Sequence, residues 1–304
     1  MKSYLMKRIS WKVLKKNRFF YVMLIPIAVY FILFNYYPLV LGFVNSFQDV
    51  KLLGNTAFAG LNNYKKVTAS PFYQQAFVNA LIVNVGTFLL QFVWGLALAV
   101  LINEMRHKFS KSLVQSVTYL PNLLSWSVVG GIWITILSPS GMVNGILQKM
   151  LGKDFRRIAF MAESAWARPI FIFTGAWKTA GYTAVLFLAA IVGIDPNLYE
   201  AATIDGASRF QQISHIALPS LVPTMKVVTV LGTMGILRNF DQVFIMGNSN
   251  IFDKIRNLLM LIYVDGITKF KIGLSTAAAT MVLLVTLVIS FIVRKLLKYD
   301  EAYD

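Results

Sequence analysis

Only a handful of side chains in this sequence could do chemistry, and most stand where they are expensive. Lys178, Arg238 and Asp241 lie inside long apolar runs, with Gln242 next to the last of them. A charge at the centre of a bilayer costs at least ~2.5–3.5 kcal/mol on insertion scales, so each needs a compensating reason. Arg238 and Asp241 are three apart and would share one helical face. Two readings stay open. These groups could face a wet pathway and hydrogen-bond the hydroxyls or carboxylates of a passing solute. They could also tie helices together as an ion pair, Arg238 with Asp241 or Lys178 with Asp241. A second set is uncharged. Asn84, Thr87, Gln91 and Trp94 recur at helical spacing, Trp126 and Trp133 are seven apart around Gly130, and Trp177 and Tyr182 flank Lys178. Indole faces stack on sugar C–H surfaces, but tryptophans also mark membrane interfaces and polar side chains also glue helices.

Other chemistry is missing. There is no cysteine, so disulfides and zinc–thiolate sites are excluded, and the two histidines, His107 and His215, stand far apart without a carboxylate cluster. No phosphate-binding loop occurs: Gly152-Lys153 is followed by Asp154 and lacks the preceding glycine. Neither a Gly-x-Ser-x-Gly element nor a His-Glu-x-x-His helix is present. The net charge of +16 comes from residues at segment ends and in short connections, which is the positive-inside pattern and not a nucleic-acid surface.

Lipid is the solvent for this chain. Hydrophobic residues make up 57% and charged residues 14% of the 304 residues, with a mean hydropathy of +0.63. Soluble domains run nearer 45–50% and about 25%. About 20 apolar residues cross the hydrocarbon layer as a helix. Six runs meet that length, at 20–43, 76–103, 113–137, 170–194, 221–246 and 272–293. The expectation is therefore an all-α, polytopic protein with six transmembrane helices, a basic N-terminus (1–19), one membrane domain (20–297) and a short tail (298–304). Lys and Arg are denser in the N-terminus, the second–third connection and the C-terminus than in the other loops, which predicts cytoplasmic termini. The first run is too long, and lacks the cleavage site, for a signal peptide.

Residues 195–220, between the fourth and fifth runs, are too polar to span and too patterned for a linker. Asp195-Pro196 reads as a helix start, with an N-capping oxygen and proline in the first turn. Gly206 ends that helix and turns the chain. Residues 207–217 read as a second short helix, which Pro219 breaks before the fifth span. Two short helices around a glycine make a shaped surface for docking.

Within that hairpin, Glu200-Ala201-Ala202, Asp205-Gly206-Ala207 and Ile216-Ala217-Leu218-Pro219 resemble the cytoplasmic coupling motif of bacterial ABC-importer permeases. The Asp-Gly-Ala continuation is similar to the carbohydrate-uptake branch, whose best-known members are the maltose permease subunits. Asn103-Glu104, Tyr119-Leu120-Pro121 with Ser125-Trp126, and Trp177-Lys178 with Gly181-Tyr182 resemble a subgroup for complex, often acidic, oligosaccharides. Gly247-Asn248-Ser249-Asn250 departs from the Gly-Gly-Pro that many relatives carry there.

The resemblance implies a transport subunit and not an enzyme, in a bacterial plasma (inner) membrane. It implies a second homologous permease, an ATPase dimer, an extracellular or periplasmic binding protein and a sugar substrate as partners. No cofactor is expected on this chain, since ATP and magnesium would sit on the ATPase subunits. Glu200 would contact the ATPase, Ala201 and Ala202 would keep the helix slim, and Gly206 would permit the tight turn. Lys178, Arg238 and the basic loop at Arg156, Arg157 and Arg168 raise an anionic sugar as a narrower expectation. The alternatives are a permease for a polyol, glycerol phosphate or polyamine, an ion-coupled transporter, for which no internal repeat is found, and a membrane enzyme, for which no catalytic constellation is found.

Overall fold

The structure is a computed structural model describing residues 18–50, 56–152 and 154–299; most of the basic N-terminus and the end of the tail lie outside them. In chain order the helices are α1 (Arg18–Asn45), α2 (Asn62–Ala69), α3 (Pro71–Glu104), α4 (Lys108–Leu123), α5 (Trp126–Ile136), α6 (Met142–Leu151) and α7 (Ser164–Val192). They continue as α8 (Pro196–Ile204), α9 (Arg209–Ser220), α10 (Val222–Gly235), α11 (Asp241–Met246), α12 (Phe252–Ile255), α13 (Leu258–Thr268) and α14 (Ile272–Leu296). Two short strands, β1 (Gln48–Asp49) and β2 (Ala57–Phe58), pair antiparallel.

Among the described residues four helices, α1, α3, α7 and α14, are each long and apolar enough to cross a membrane. The sequence led us to expect spans at 113–137 and 221–246 as well, and in the structure each of these runs is a bent helix pair. The third run is broken: α4 and α5 meet at a bend of 100°. Pro121 removes an amide from the last turn of α4, Leu124 is extended, and Ser125 caps α5 by accepting from the Val128 amide. The fifth run bends by 55° where α9 meets α10, and is interrupted again between Gly235 and Asp241. Pro219 does not end α9. Residues Ile213–Ala217 widen into a π turn just before it, and α1 uses the same device, with Ile32–Tyr36 ahead of Pro38.

The most extensive packing joins α3 to α7. These two straight helices are the frame against which the broken segments lean. Helix α4 crosses α7 so closely at Gly181 that a Cβ there would overlap the Thr118 carbonyl. Helix α1 is exposed along its length and meets the bundle only near its end, against α14.

At one end of the bundle lie α8, α9 and the last turns of α3 and α14, where the Lys226 ammonium reaches the Lys298 carbonyl at 3.4 Å. The other end is stapled by asparagines. Asn144 bonds the Ser138 and Ile158 carbonyls and the Ile158 amide, and Asn248 donates to the Met161 carbonyl. Arg168 donates to Asn79 Oδ1 at 2.9 Å and to the Lys254 carbonyl, so it belongs to this staple and not to a free basic patch.

The Gly181 crossing generates a test. Gly181→Val should lower the thermal midpoint of the purified protein, since overpacking of this kind costs about 1–3 kcal/mol. Gly145→Ala, where a Cβ meets nothing within 4 Å, should leave it unchanged or raise it. Equal midpoints for both variants would contradict the close crossing.

Candidate functional site

Bare carbonyls at a helix break inside a membrane are costly, because no water is there to satisfy them. Both breaks are capped from the straight pair. The Lys178 ammonium of α7 donates to the carbonyls of Pro121 (3.1 Å), Asn122 (3.1 Å) and Leu124 (2.7 Å), which uses all three of its hydrogens. It also lies 5.7 Å from the Trp126 ring centroid. At the other break, Asn84 of α3 donates to the Ile236 carbonyl at 2.6 Å. Asn239 Nδ2 donates to Asn84 Oδ1 (3.0 Å) and Gln242 Oε1 (2.8 Å), and the fully buried Gln242 donates to the Phe171 carbonyl and Thr174 Oγ1. Thr179 donates to Gln91.

Between the breaks opens a cleft of about 650 Å³, bordered by Ser125, Trp126, Ser127, Lys178, Phe240, Asp241 and Phe244. Asp241 is exposed and forms no ion pair with Lys178 or Arg238; the ion pairs among the described residues are Lys254–Asp253 and Lys269–Asp265. Arg238 is exposed as well. The rings of Phe240 and Phe244 stack at 5.1 Å, with Tyr263 at 5.3 and 5.4 Å from them. Aromatic faces beside a free carboxylate can hold the C–H surface of a sugar and accept from its hydroxyls. A smaller recess of about 270 Å³ joins Asn84, Gln91, Trp126, Asn239 and Gln242, and holds the buried Thr87 hydroxyl, which has no partner.

The structure therefore gathers Asn84, Gln91, Trp126, Lys178, Asp241 and Gln242 around the breaks. Trp94, Trp133 and Trp177 do not line the cleft. Those form a ladder with Phe173 at edge-to-face spacings of 5.3–5.4 Å, and Trp94 and Trp177 border a separate apolar pocket beside Pro121. Tyr182 is exposed on the outside of α7. Sequence reading missed Ser125, Ser127, Asn239, Phe240, Phe244 and Tyr263. Two of them carried a visible signal: Ser125 stands in the Ser125-Trp126 pair of the resemblance, and Asn239 is a polar residue between Arg238 and Asp241.

The hairpin folds as its local chemistry demands. Asp195 Oδ1 accepts from the Asn197 amide at 3.0 Å, with Pro196 in the first turn of α8. Gly206 has φ +77°, a conformation that favours glycine. The Ala207 amide reaches the Ala202 carbonyl and the Gly206 amide the Thr203 carbonyl, which closes the helix end. Ser208 and Gln211 cap α9 reciprocally, and the buried Gln212 ties α9 to Thr203. Glu200, Ala201, Asp205 and Pro219 are exposed; Ala202, Ile216 and Leu218 are partly so. Leu198, Ile204 (86% exposed) and Phe210 (78% exposed) make the surface apolar. His215 is exposed, its Nδ1 near Ser214 Oγ and the Gln211 carbonyl. The Tyr199 hydroxyl is buried without a partner, and burial, followed by the charge of Glu104 at the end of α3, pushes its pKa up.

Residues 91–298 match the family of binding-protein-dependent transport system inner membrane components. The chain is 32% identical to protein LplB of Bacillus subtilis (strain 168), covering 94% of this chain and 90% of that one. It is 29% identical to the polygalacturonan/rhamnogalacturonan transport system permease protein YteP of the same organism, covering 96% and 91%. A crystal structure of a bacterial ABC transporter involved in the import of the acidic polysaccharide alginate superposes with a TM-score of 0.85 at 32% identity, over 95% of this chain and 98% of that one. With its bundle of apolar helices, this chain belongs to the family of binding-protein-dependent inner membrane transport components: it is a multi-pass, all-α permease subunit and not an enzyme.

Lys178→Met removes three donors from one buried and two part-buried carbonyls and should destabilise the protein by on the order of 2–4 kcal/mol. Thermal unfolding of the purified protein reads this, with Lys178→Arg falling between Met and the parent. A Met variant as stable as the parent would remove the capping role.

Proposed function

We propose that this chain is a permease subunit of an ABC importer for oligosaccharides, with six spans, both termini in the cytoplasm and the 195–220 hairpin seated in an ATPase subunit. The observation that carries the reading is the hairpin. It exposes Leu198, Ile204 and Phe210 at the polar end of the bundle, beyond the long apolar helices, where an apolar surface calls for a protein partner. Glu200, Ala201, Ala202, Asp205, Gly206, Ile216, Leu218 and Pro219 make up the docking element. A second homologous permease completes the pathway, an ATPase dimer supplies ATP and magnesium chemistry, and a binding protein delivers the solute on the face opposite the hairpin.

The sugar assignment rests on the cleft and on the polysaccharide systems named for YteP and the alginate transporter. Asp241 accepts sugar hydroxyls, Trp126, Phe240 and Phe244 offer stacking faces, and Asn84, Gln91, Gln242 and Asn239 shape the polar wall. Lys178, Trp94, Trp133 and Trp177 then act as scaffold around that wall, and Tyr182, exposed on the outside of α7, takes no part in it. An acidic oligosaccharide is the second reading, favoured by the exposed Arg238, which joins no ion pair among the described residues, together with the acidic substrate of the alginate transporter.

Two tests separate the parts. The chain has no cysteine, so a single cysteine at Ile204 or Gly206 reports cleanly. Each should crosslink to the ATPase subunit in the assembled complex, and failure of both would remove the docking assignment. For the substrate, Asp241→Asn should cut oligosaccharide import by about 10-fold or more, the scale of a charge-assisted hydrogen bond, with ATPase assembly unchanged. In a transport panel, Arg238→Gln should lower acidic oligosaccharide uptake selectively; equal effects on neutral and acidic sugars would exclude the acidic reading.

A further inference from the structure

Helix α13 is apolar but too short to cross a membrane, and it stands behind the cleft. Its Tyr263 ring packs on Phe240 and Phe244, whose stack borders the cleft. Two residues on, and so turned to the other side of the helix, Asp265 is buried against the first turn of α3. There the buried Tyr73 donates its hydroxyl to Asp265 Oδ2 at 2.9 Å, and the Lys269 ammonium reaches Oδ1 at 3.2 Å. The backbone at this point is unusual. Residues Val264–Thr268 widen into a π turn, and Phe270 has φ +53°, a conformation rare for a residue with a side chain. The Lys271 amide bonds the Asp265 carbonyl at 2.7 Å across that turn. At the start of α13, Asn257 accepts from the Met260 amide at 3.0 Å and donates to the Asn239 carbonyl.

Apolar contact alone cannot fix where such a helix stops. Inside a membrane there is no hydrophobic drive between helices, so leucine and isoleucine faces slide past one another at little cost. A buried hydroxyl–carboxylate bond does not slide. It forms at one register, and breaking it leaves a buried charge short of a donor. The Tyr73–Asp265 bond and Asn257 therefore pin α13 at both ends, with Tyr263 between the pins. Because Tyr263 backs the Phe240–Phe244 stack, the pin at Asp265 sets where those rings face. We infer that Tyr73 and Asp265 are positioning residues of the cleft, acting through Tyr263. The inference rests on the oligosaccharide reading of that cleft.

The test uses the assembled transporter, in which Tyr73→Phe removes the hydroxyl and keeps the ring. Oligosaccharide import should fall by about fivefold, the scale of one hydrogen bond. In a Tyr263→Ala background, where import is already reduced, adding Tyr73→Phe should cost nothing more. A second arm reads α13 without any sugar. Ser275 of α14 is buried under Gly266 of α13, where a Cβ would come within 2.6 Å of its hydroxyl oxygen. The chain has no cysteine, so Ser275→Cys supplies a single thiol there. Tyr73→Phe should speed its reaction with a small thiol reagent by roughly threefold or more, as a local opening does. Gly181→Val, which loosens the bundle elsewhere, should not. Additive losses of import in the double variant would overturn the positioning role. So would a thiol rate unmoved by Tyr73→Phe, or raised as much by Gly181→Val. A parent transporter that imports no oligosaccharide would sink the substrate reading instead, and the thiol comparison would still decide whether Tyr73 pins α13.

Discussion

A helix can break inside a membrane only if something answers the carbonyls it leaves bare. In this protein the answer is a lysine ammonium. Lys178 spends all three of its hydrogens on the last carbonyls of α4, and its positive charge sits where that helix's dipole is negative. Asn84 does the neutral equivalent for the end of α10. Both caps project from the straight pair α3 and α7, so the frame that packs most tightly also fixes where the broken segments stop and restart.

The consequence is a cleft in the middle of an apolar bundle. Because α5 starts at Trp126 and α11 at Asp241, two helix beginnings converge, bringing Ser125, Ser127 and Asp241 to one wall with the Phe240–Phe244 stack beside them. The same connectivity links cleft and hairpin. The hairpin hangs between the end of α7 and the start of α10, the helices that carry Lys178 and lead to Asn239. The buried Tyr199 hydroxyl of the hairpin also feels the charge of Glu104 at the end of α3. In the proposed importer, a displacement of the hairpin would reach both caps through rigid helices, and so change the cleft without any local unfolding.

What could be read beforehand was local. The Asp195-Pro196 start and the Gly206 turn of the hairpin are short-range chemistry, complete within a few residues, and the structure reproduces both. Hydropathy likewise marked every long apolar run. The breaks were not legible, because an apolar run with an interruption has the same composition as one without. Pro121 hinted at the first, but its cap lies 54 residues away from Leu124, and the cap of the second lies 152 residues from Ile236. An Arg238–Asp241 pair, one of the readings the sequence left open, presumed a continuous helix, whereas the chain leaves the helix at Gly235 and re-enters at Asp241. The tryptophans could not be told apart in sequence: Trp126 lines the cleft, whereas Trp94 and Trp133 pack edge-to-face against Phe173 at the same kind of spacing.

The most direct measurement is an electron cryo-microscopy map of the assembled transporter in lipid nanodiscs. That map should show α4 and α5 meeting at a sharp bend, with Lys178 Nζ within hydrogen-bonding distance of the Pro121, Asn122 and Leu124 carbonyls, and Asp241 open to the cleft beside them. A continuous third helix, with the Lys178 ammonium paired to Asp241 instead, would contradict that arrangement.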